Sequence, residues 1–241
     1  MFSIFNHKKN VIKTDLLADS ADIHSHLLPG VDDGIQLRED SIAAFQGLHE
    51  LGVSSFFLAP HVMEDLPNNR ASLEKHFEAF KASIPEGLTV KMAAEYMLDA
   101  GFAAHLDEGL LTMGYDKQVL VETSYMSPPP DLMEILYSLT LKGYTPIIAH
   151  PERYVYMTSK DYERLKAKGY RFQLNYLSLA GFYGKPAYIK AHELLKKQMY
   201  DYTGSDCHNL DKHRWGLAHL ELTNSEIEML SKLLANNKLL F

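Results

Sequence analysis

Short apolar runs alternate along this chain with longer stretches in which apolar residues recur every three or four positions. The runs read as buried strands, and the helical period reads as amphipathic helices packed over them. Residues 1–18 form a polar-apolar lead segment, expected as a short helix on the outside. Ala21–His26 is the first strand. Residues 39–51 place apolar side chains at Ile42, Phe45, Leu48 and Leu51, and Gly52 ends that helix. Ser54–Ala59 is the second strand and runs into Pro60-His61. A helix opens at Asn69 and continues to Ser83, ahead of Pro85. Leu88–Glu95 is the third strand, and a short helix covers 99–106.

The same alternation continues to the far end. Gln118–Glu122 is a strand, Ser127 to Pro130 turns the chain, and 131–142 is a helix closed by Gly143. Pro146–Ala149 runs into His150. A helix at 159–168 precedes the strand Arg171–Asn175, and a helix at 186–198 precedes the strand Tyr200–Gly204. Helices at 211–219 and 224–236 close the chain. Seven strands alternating with helices predict a parallel sheet with helices outside, and at 241 residues they predict an α/β fold of the TIM-like barrel kind, a distorted (β/α)7 barrel. The strands are continuously apolar, as buried parallel strands are. No repeat or linker divides residues 1–241, so one domain is expected, with 20–215 as its core and 224–236 as its closing helix.

Composition narrows the function classes. A formal net charge of -7 argues against a basic nucleic-acid groove. The one cysteine, Cys207, excludes an internal disulfide and fits a reducing cytoplasm. No signal peptide and no run of ~18 apolar residues is visible, so a cytoplasmic protein without membrane insertion is expected.

The candidate chemistry lies at the strand ends. In Asp22-Ile-His24-Ser-His26, positions i and i+2 of a strand share a face, so both imidazoles aim at one point. His61, Glu95, Glu122, His150, Asp206 and His208 each end a strand, and Asp33 lies in the loop after the first. In a barrel these ends converge on one mouth. Any one of the carboxylates taken alone reads better as a helix cap or turn residue. Together they make a set of five imidazoles and four carboxylates, suited to two or three divalent ions such as Zn, Mn or Fe. Two such ions about 3.5–4 Å apart activate a bridging hydroxide for phosphoester hydrolysis.

Arg153, three residues after His150, and Arg214, six after His208, are candidates to grip phosphate in a bidentate fork, against the alternative of surface ion pairs. Tyr96, Met97, Tyr125, Met126 and Tyr154 follow strand ends and are candidates for an apolar lip, against the alternative of core packing. Cys207 reads as a small packed residue. Six residues separate it from Arg214, so it lacks the Cys-x5-Arg loop of thiol phosphatases.

With these segments in hand, Asp22 to Gly34, Ala59-Pro-His61, Ala94-Glu95-Tyr96, Val121-Glu122, Ala149 to Tyr154 and Gly204 to Asn209, the sequence resembles the PHP (polymerase and histidinol phosphatase) superfamily. Within it, the chain is similar to the bacterial capsule-type, manganese-dependent protein tyrosine phosphatases. The resemblance implies a trinuclear site, manganese most readily, with His24, His26, Asp33, His61, Glu95, Glu122, His150, Asp206 and His208 as ligands. It implies Arg153 as the phosphate-binding arginine and a tyrosine autokinase of capsule or exopolysaccharide export as the phosphoprotein substrate. The second arginine of the family falls at His213 in a gapless reading, one residue before Arg214. Other readings are a histidinol-phosphate-type small-molecule phosphatase, a PHP-type nuclease and a metal-dependent interaction module without turnover. A homo-oligomer is compatible with all of them.

Overall fold

Prolines, glycines and caps divide the chain into short parallel strands and covering helices. The computed structural model describes residues 7–241. It begins with β1 (Lys9–Asn10), a 3-10 turn at Val11–Lys13 and β2 (Ser20–Ser25). Residues 1–6 of the expected lead helix lie outside the described residues, and from residue 7 to 18 that turn is its only helical stretch. Then come α1 (Arg38–Glu50), β3 (Val53–Leu58), β4 (His61–Val62), α2 (Arg70–Phe80), β5 (Thr89–Met92) and β6 (Glu95–Met97). They are followed by α3 (Phe102–Glu108), β7 (Gln118–Glu122), α4 (Leu132–Leu141), β8 (Thr145–Ala149), α5 (Ser159–Ala167) and β9 (Arg171–Asn175). The last elements are α6 (Lys185–Lys196), β10 (Tyr202–Gly204), α7 (Leu210–Ala218), β11 (Glu221–Leu222) and α8 (Asn224–Lys238).

Local chemistry explains the helix starts. Asn69 caps α2 and Thr223 caps α8, each in a reciprocal capping box that satisfies two end N–H groups. The strand β11 was not legible as a strand, being two residues long. It pairs antiparallel with β1, also unforeseen.

The strands do not form the single closed barrel expected. They form a mixed α/β fold with two parallel sheets, one of six strands in the order β10-β9-β8-β7-β6-β4 and one of three in the order β2-β3-β5. The physical cause begins at Pro60, which has no N–H for the ladder. The expected second strand therefore splits into β3 and β4, and its neighbour splits opposite it into β5 and β6. Isolated hydrogen bonds cross the gaps. Ala93 N donates to Leu58 O at 2.8 Å and Glu95 N to Pro60 O at 3.0 Å. On the other flank, Asp206 N donates to His24 O at 2.8 Å and His26 N to Cys207 O at 3.0 Å.

Alternation along the strands builds both the core and the site. Phe56, Val119, Val121 and Ile148 face the helices in the large core. Phe57, Ala59, Ala93, Leu120, Ile147 and Ala149 form a smaller apolar cluster on the opposite face. Two residues on from Ala59, Ala93 and Leu120, on that same face, stand His61, Glu95 and Glu122. The site therefore rests on an apolar floor. In β2 the register against β3 slips between Asp22 and Ser25. Such a bulge changes the face that following residues present, and here Ile23 joins the floor while His24 stands in the ligand cluster.

The seam between the two sheets is fastened from outside. Asn237 of α8 is fully buried; its amide donates to Ala21 O of β2 and Thr203 O of β10, both at 2.7 Å, and accepts from Thr203 N at 3.1 Å. Asn237→Ala leaves these buried groups unpaired, at roughly 1–3 kcal/mol for each group that finds no water. The expected loss is about 2–3 kcal/mol of unfolding free energy, measured by urea denaturation; an unchanged midpoint would show that the seam does not depend on this side chain.

Candidate metal centre

Nine side chains meet at the carboxyl ends of the strands. They divide into four overlapping groups that could each hold an ion: His26, Asp33, His61 and His208; His24, Glu95 and His150; His24, His26 and Asp206; and His61, Glu95 and Glu122. These are the nine positions singled out at the strand ends, and no other residue enters such a group among the described residues. Within each group the candidate donor atoms lie within 4.8 Å of one another. The sharing of residues between groups is what a multinuclear site requires.

 Glu95 belongs to two groups, and so do His24, His26 and His61.

Glu95 is the centre of the cluster. Its Oε2 lies 3.2 Å from His24 Nε2, 3.5 Å from His26 Nε2 and 3.1 Å from His61 Nδ1, and its Oε1 lies 2.9 Å from His150 Nε2. Glu122 Oε1 is 2.9 Å from His61 Nδ1. Asp206 Oδ1 is 3.5 Å from His24 Nε2 and 3.4 Å from both His26 Nε2 and His208 Nδ1. Asp33 is the most exposed member, with Oδ1 3.5 Å from His61 Nε2 and 3.4 Å from His208 Nε2.

The donor set fits cations. His61 Nδ1, Glu95 Oε2 and Glu122 Oε1 are buried and close, yet none makes an aligned hydrogen bond. Buried polar atoms that approach without pairing need a shared partner, and a divalent ion between them supplies one. Residues around the cluster fix the ring orientations. His26 Nδ1 is 2.8 Å from Asp32 Oδ2, and His24 Nδ1 is 2.9 Å from Gln173 Oε1, so each Nε2 is left to face the cluster. Asp32 also accepts from Gly34 N and His61 N, at 2.9 and 3.0 Å. A Cβ on Gly34 would stand 2.4 Å from His26 O, so glycine is required for this close approach.

Electrostatics are extreme without an ion. Burial opposes protonation of His24 and His26, but the carboxylates around them outweigh it and raise both. Burial and the His26 charge likewise oppose His61, and Glu122 with Glu95 still lift it to about 10. Burial would raise Glu95 and Asp206, but the imidazoles, His24 foremost, hold both well below the usual carboxylate range. Two candidate ligand positions, His150 (φ 31°) and Asp206 (φ 52°), adopt left-handed backbone, an uncommon and costly state for a non-glycine residue.

Beside the cluster opens a cavity of about 540 Å³, lined in part by His61, Glu95, His150, Asp206 and Arg153. Arg153 Nη1 donates to Asp206 Oδ2 at 2.8 Å. Its guanidinium is clamped between two rings, 4.3 Å from the centroid of Tyr125 and 4.2 Å from that of Tyr183. Tyr183 also donates to Asp206 Oδ2, at 3.2 Å.

The geometry has a counterpart among known proteins. Residues 20–225 match the family described as capsular polysaccharide synthesis, CpsB/CapC. The chain belongs to the CpsB/CapC family. It is 28% identical over 201 residues to the tyrosine-protein phosphatase YwqE of Bacillus subtilis, covering 78% of this chain and 77% of that protein. It is 29% identical over 203 residues to the tyrosine-protein phosphatase CpsB of Streptococcus pneumoniae, covering 79% and 83%. A solved structure from work on YwqE and CpsB, described there as unique metal-dependent tyrosine phosphatases, superposes with a TM-score of 0.75 at 27% identity, over 91% of this chain and 93% of that one.

Several expectations for this CpsB/CapC chain change with the structure. Arg214 points away from the cavity and pairs with Glu50 Oε2 at 2.9 Å on the surface, because its place on α7 faces α1. His213 lines the cavity instead, with Nε2 2.8 Å from Tyr176 OH; burial depresses it to about 4, so it is neutral and cannot replace a guanidinium. The cavity cation that sequence reasoning missed is Lys212. Of the expected lip, Tyr96 and Tyr154 are buried in the core, while Tyr125 and Met126 are exposed. Asp32, Gln173, Asn175 and Tyr183 were also missed. Asp32 alone left a signal, as a second acid beside Asp33; the rest act through contacts between distant strands.

Two measurements check the site. Burial pushes the Cys207 thiol up to about 12, which leaves it without nucleophilic thiolate at neutral pH. Iodoacetamide at pH 7.5 is therefore expected to leave activity intact, and stoichiometric inactivation would contradict the burial. The raised histidines also set a sign for stability. Their folded pKa values exceed the unfolded value of about 6.5, so their contribution is full below about 6.5 and is lost as pH rises toward about 10. The metal-stripped protein should lose melting temperature between about pH 6.5 and 10, and added Mn should restore more of it at the alkaline end. A stripped protein that melts at one temperature throughout this window would contradict the charge assignment.

Proposed function

We propose that this chain is a metal-dependent phosphatase acting on phosphotyrosine in proteins. The observation that carries the reading is the meeting of nine ligand-type side chains, with unpaired buried atoms between them, beside an arginine stacked between two tyrosines. The names of the relatives support the same activity, and the family's role supports a tyrosine autokinase of capsule export as substrate. We read residues 20–215 as the unit that carries the site, α8 as its closing helix, and the two bridged sheets as an interrupted (β/α)7 barrel. An interior of this kind favours a cytoplasmic setting, where a free thiol stays reduced.

The ligand set is His24, His26, Asp33, His61, Glu95, Glu122, His150, Asp206 and His208, and its mixture of imidazole and carboxylate favours Mn, with Fe and Zn as alternatives. When bound, the ions supply Lewis acidity and an activated water. The chain's own residues do the rest. Arg153 presents a fork of N–H donors to the phosphate oxygens, and its stacking on Tyr125 and Tyr183 fixes the plane of that fork. Burial opposes its charge, but Asp206 outweighs burial and keeps the guanidinium protonated. Lys212 adds a second positive charge at the cavity wall. Leu177, Phe182 and Tyr183 make an apolar side to the same cavity, a wall for an aromatic leaving group.

Mn-loaded protein should hydrolyse a phosphotyrosine peptide in preference to a phosphoserine peptide, histidinol phosphate or single-stranded DNA. Cleavage of the DNA alone would overturn the proposal. His150→Ala and Asp206→Ala should abolish turnover and lower metal content measured by elemental analysis. Arg153→Lys keeps the charge but loses the fork, and kcat/KM should fall about tenfold or more. An unchanged value would remove Arg153 from phosphate binding.

A further inference from the structure

An aromatic path leaves the cavity and surfaces on α7. Tyr183, which clamps Arg153, meets Phe182 edge-on with ring centroids 5.1 Å apart. Phe182 lines the cavity and lies 6.3 Å from Trp215. Trp215 is 58% exposed, and its ring is 4.2 Å from that of His219. The packing beneath is tight. A Cβ on Gly216 would stand 2.8 Å from Leu177 Cδ1 and 3.3 Å from Phe182 Cδ2, so glycine there allows Phe182 to lie against α7 beside Trp215. The ledge is thus a fixed surface continuous with the cavity wall.

We propose that this ledge of Phe182 and Trp215 binds an apolar side chain of the substrate polypeptide close to the phosphotyrosine. The inference rests on the phosphotyrosine reading of the cavity. Continuity with the cavity argues for the occupant, since chain that carries a phosphate to Arg153 must leave across the rim. One guanidinium-to-ring step and two ring-to-ring steps separate Arg153 from Trp215. An extended chain at about 3.3 Å per residue reaches that far within a few residues of the phosphotyrosine. The indole is the residue type that most often dominates such contacts, and it offers an apolar face with little rotamer entropy to lose. Arg214, next to it on α7, is already paired with Glu50.

The test compares wild type, Trp215→Ala and Trp215→Phe, all Mn-loaded. The substrates are 4-nitrophenyl phosphate and two phosphotyrosine peptides, one with leucine and phenylalanine flanks and one with glycine and serine flanks. Trp215→Ala should lower kcat/KM for the apolar-flanked peptide about tenfold, chiefly through KM, and change the other two less than twofold. Trp215→Phe should recover most of the loss. Equal effects on all three substrates, or none on any, would overturn the ledge. Trp215 is the chain's one tryptophan, so its fluorescence reads the same contact without turnover. A non-hydrolysable phosphonate version of the apolar-flanked peptide should shift the emission, and the glycine-serine version should not. If wild type hydrolyses none of the substrates, the phosphatase reading fails, while the fluorescence titration still decides the ledge. A concentration-dependent mass that falls to monomer in Trp215→Ala would assign the face to a second copy of the chain and overturn the proposal.

Discussion

The fully buried carboxylate of Glu95, ringed by four imidazoles, is the constraint on which the rest of the structure depends. Burying a charge costs several kcal/mol unless it is paired, so the imidazoles must be delivered to it from three places in the sheets: His24 and His26 from the end of β2, His61 from beyond β3 and His150 from the end of β8. Every delivery uses the same device, a parallel strand whose inward face is apolar at its base and polar at its tip. The apolar floor of Phe57, Leu120 and Ile147 keeps water from below the cluster, and the low dielectric that results strengthens each contact above it.

A second ring of groups lies outside the four candidate ion groups and orients their members: Asp32, Gln173 and Asn175 hold His26, His24 and Asp206 respectively. They convert flexible side chains into donors of fixed direction. Gln173 also donates to Asn175 Oδ1 at 2.9 Å, and Asn175 Nδ2 in turn donates to Asp206 Oδ2 at 2.6 Å. Candidate ligands on β2 and after β10 are therefore joined through β9, across the place where the two sheets meet. The seam fastened by Asn237 below and the relay through Gln173 above serve one end, which is a cluster whose members do not drift apart.

Arg153 connects this cluster to the outside. Glu152, its buried neighbour, accepts from Asn175 N, Ser178 Oγ and Tyr200 OH, and so anchors the turn that carries the arginine. The two tyrosines then hold the guanidinium flat. The same aromatic wall continues through Phe182 to Trp215, so the cavity and the outer surface share one packed element.

The alternation of strands and helices was legible from the chain alone, because apolar period is local, and so were the nine ligand-type positions, eight because they end apolar runs and Asp33 because it lies in the loop after the first. The sequence also placed Arg153 beside His150, through the short segment that follows β8. Tertiary structure decided what depends on partners distant in the chain. Pro60 removed one ladder donor and split the expected barrel into two sheets, a consequence visible only once its neighbour strand was known. Arg214 and His213 are adjacent on α7 and face opposite ways, one to Glu50 and the other to Tyr176. Helix rotation, fixed by how Gly216 packs under Leu177, chose between them. The left-handed turns at His150 and Asp206 and the clamp of Tyr183 on Arg153 have the same origin: they exist only when separate strand ends are already together.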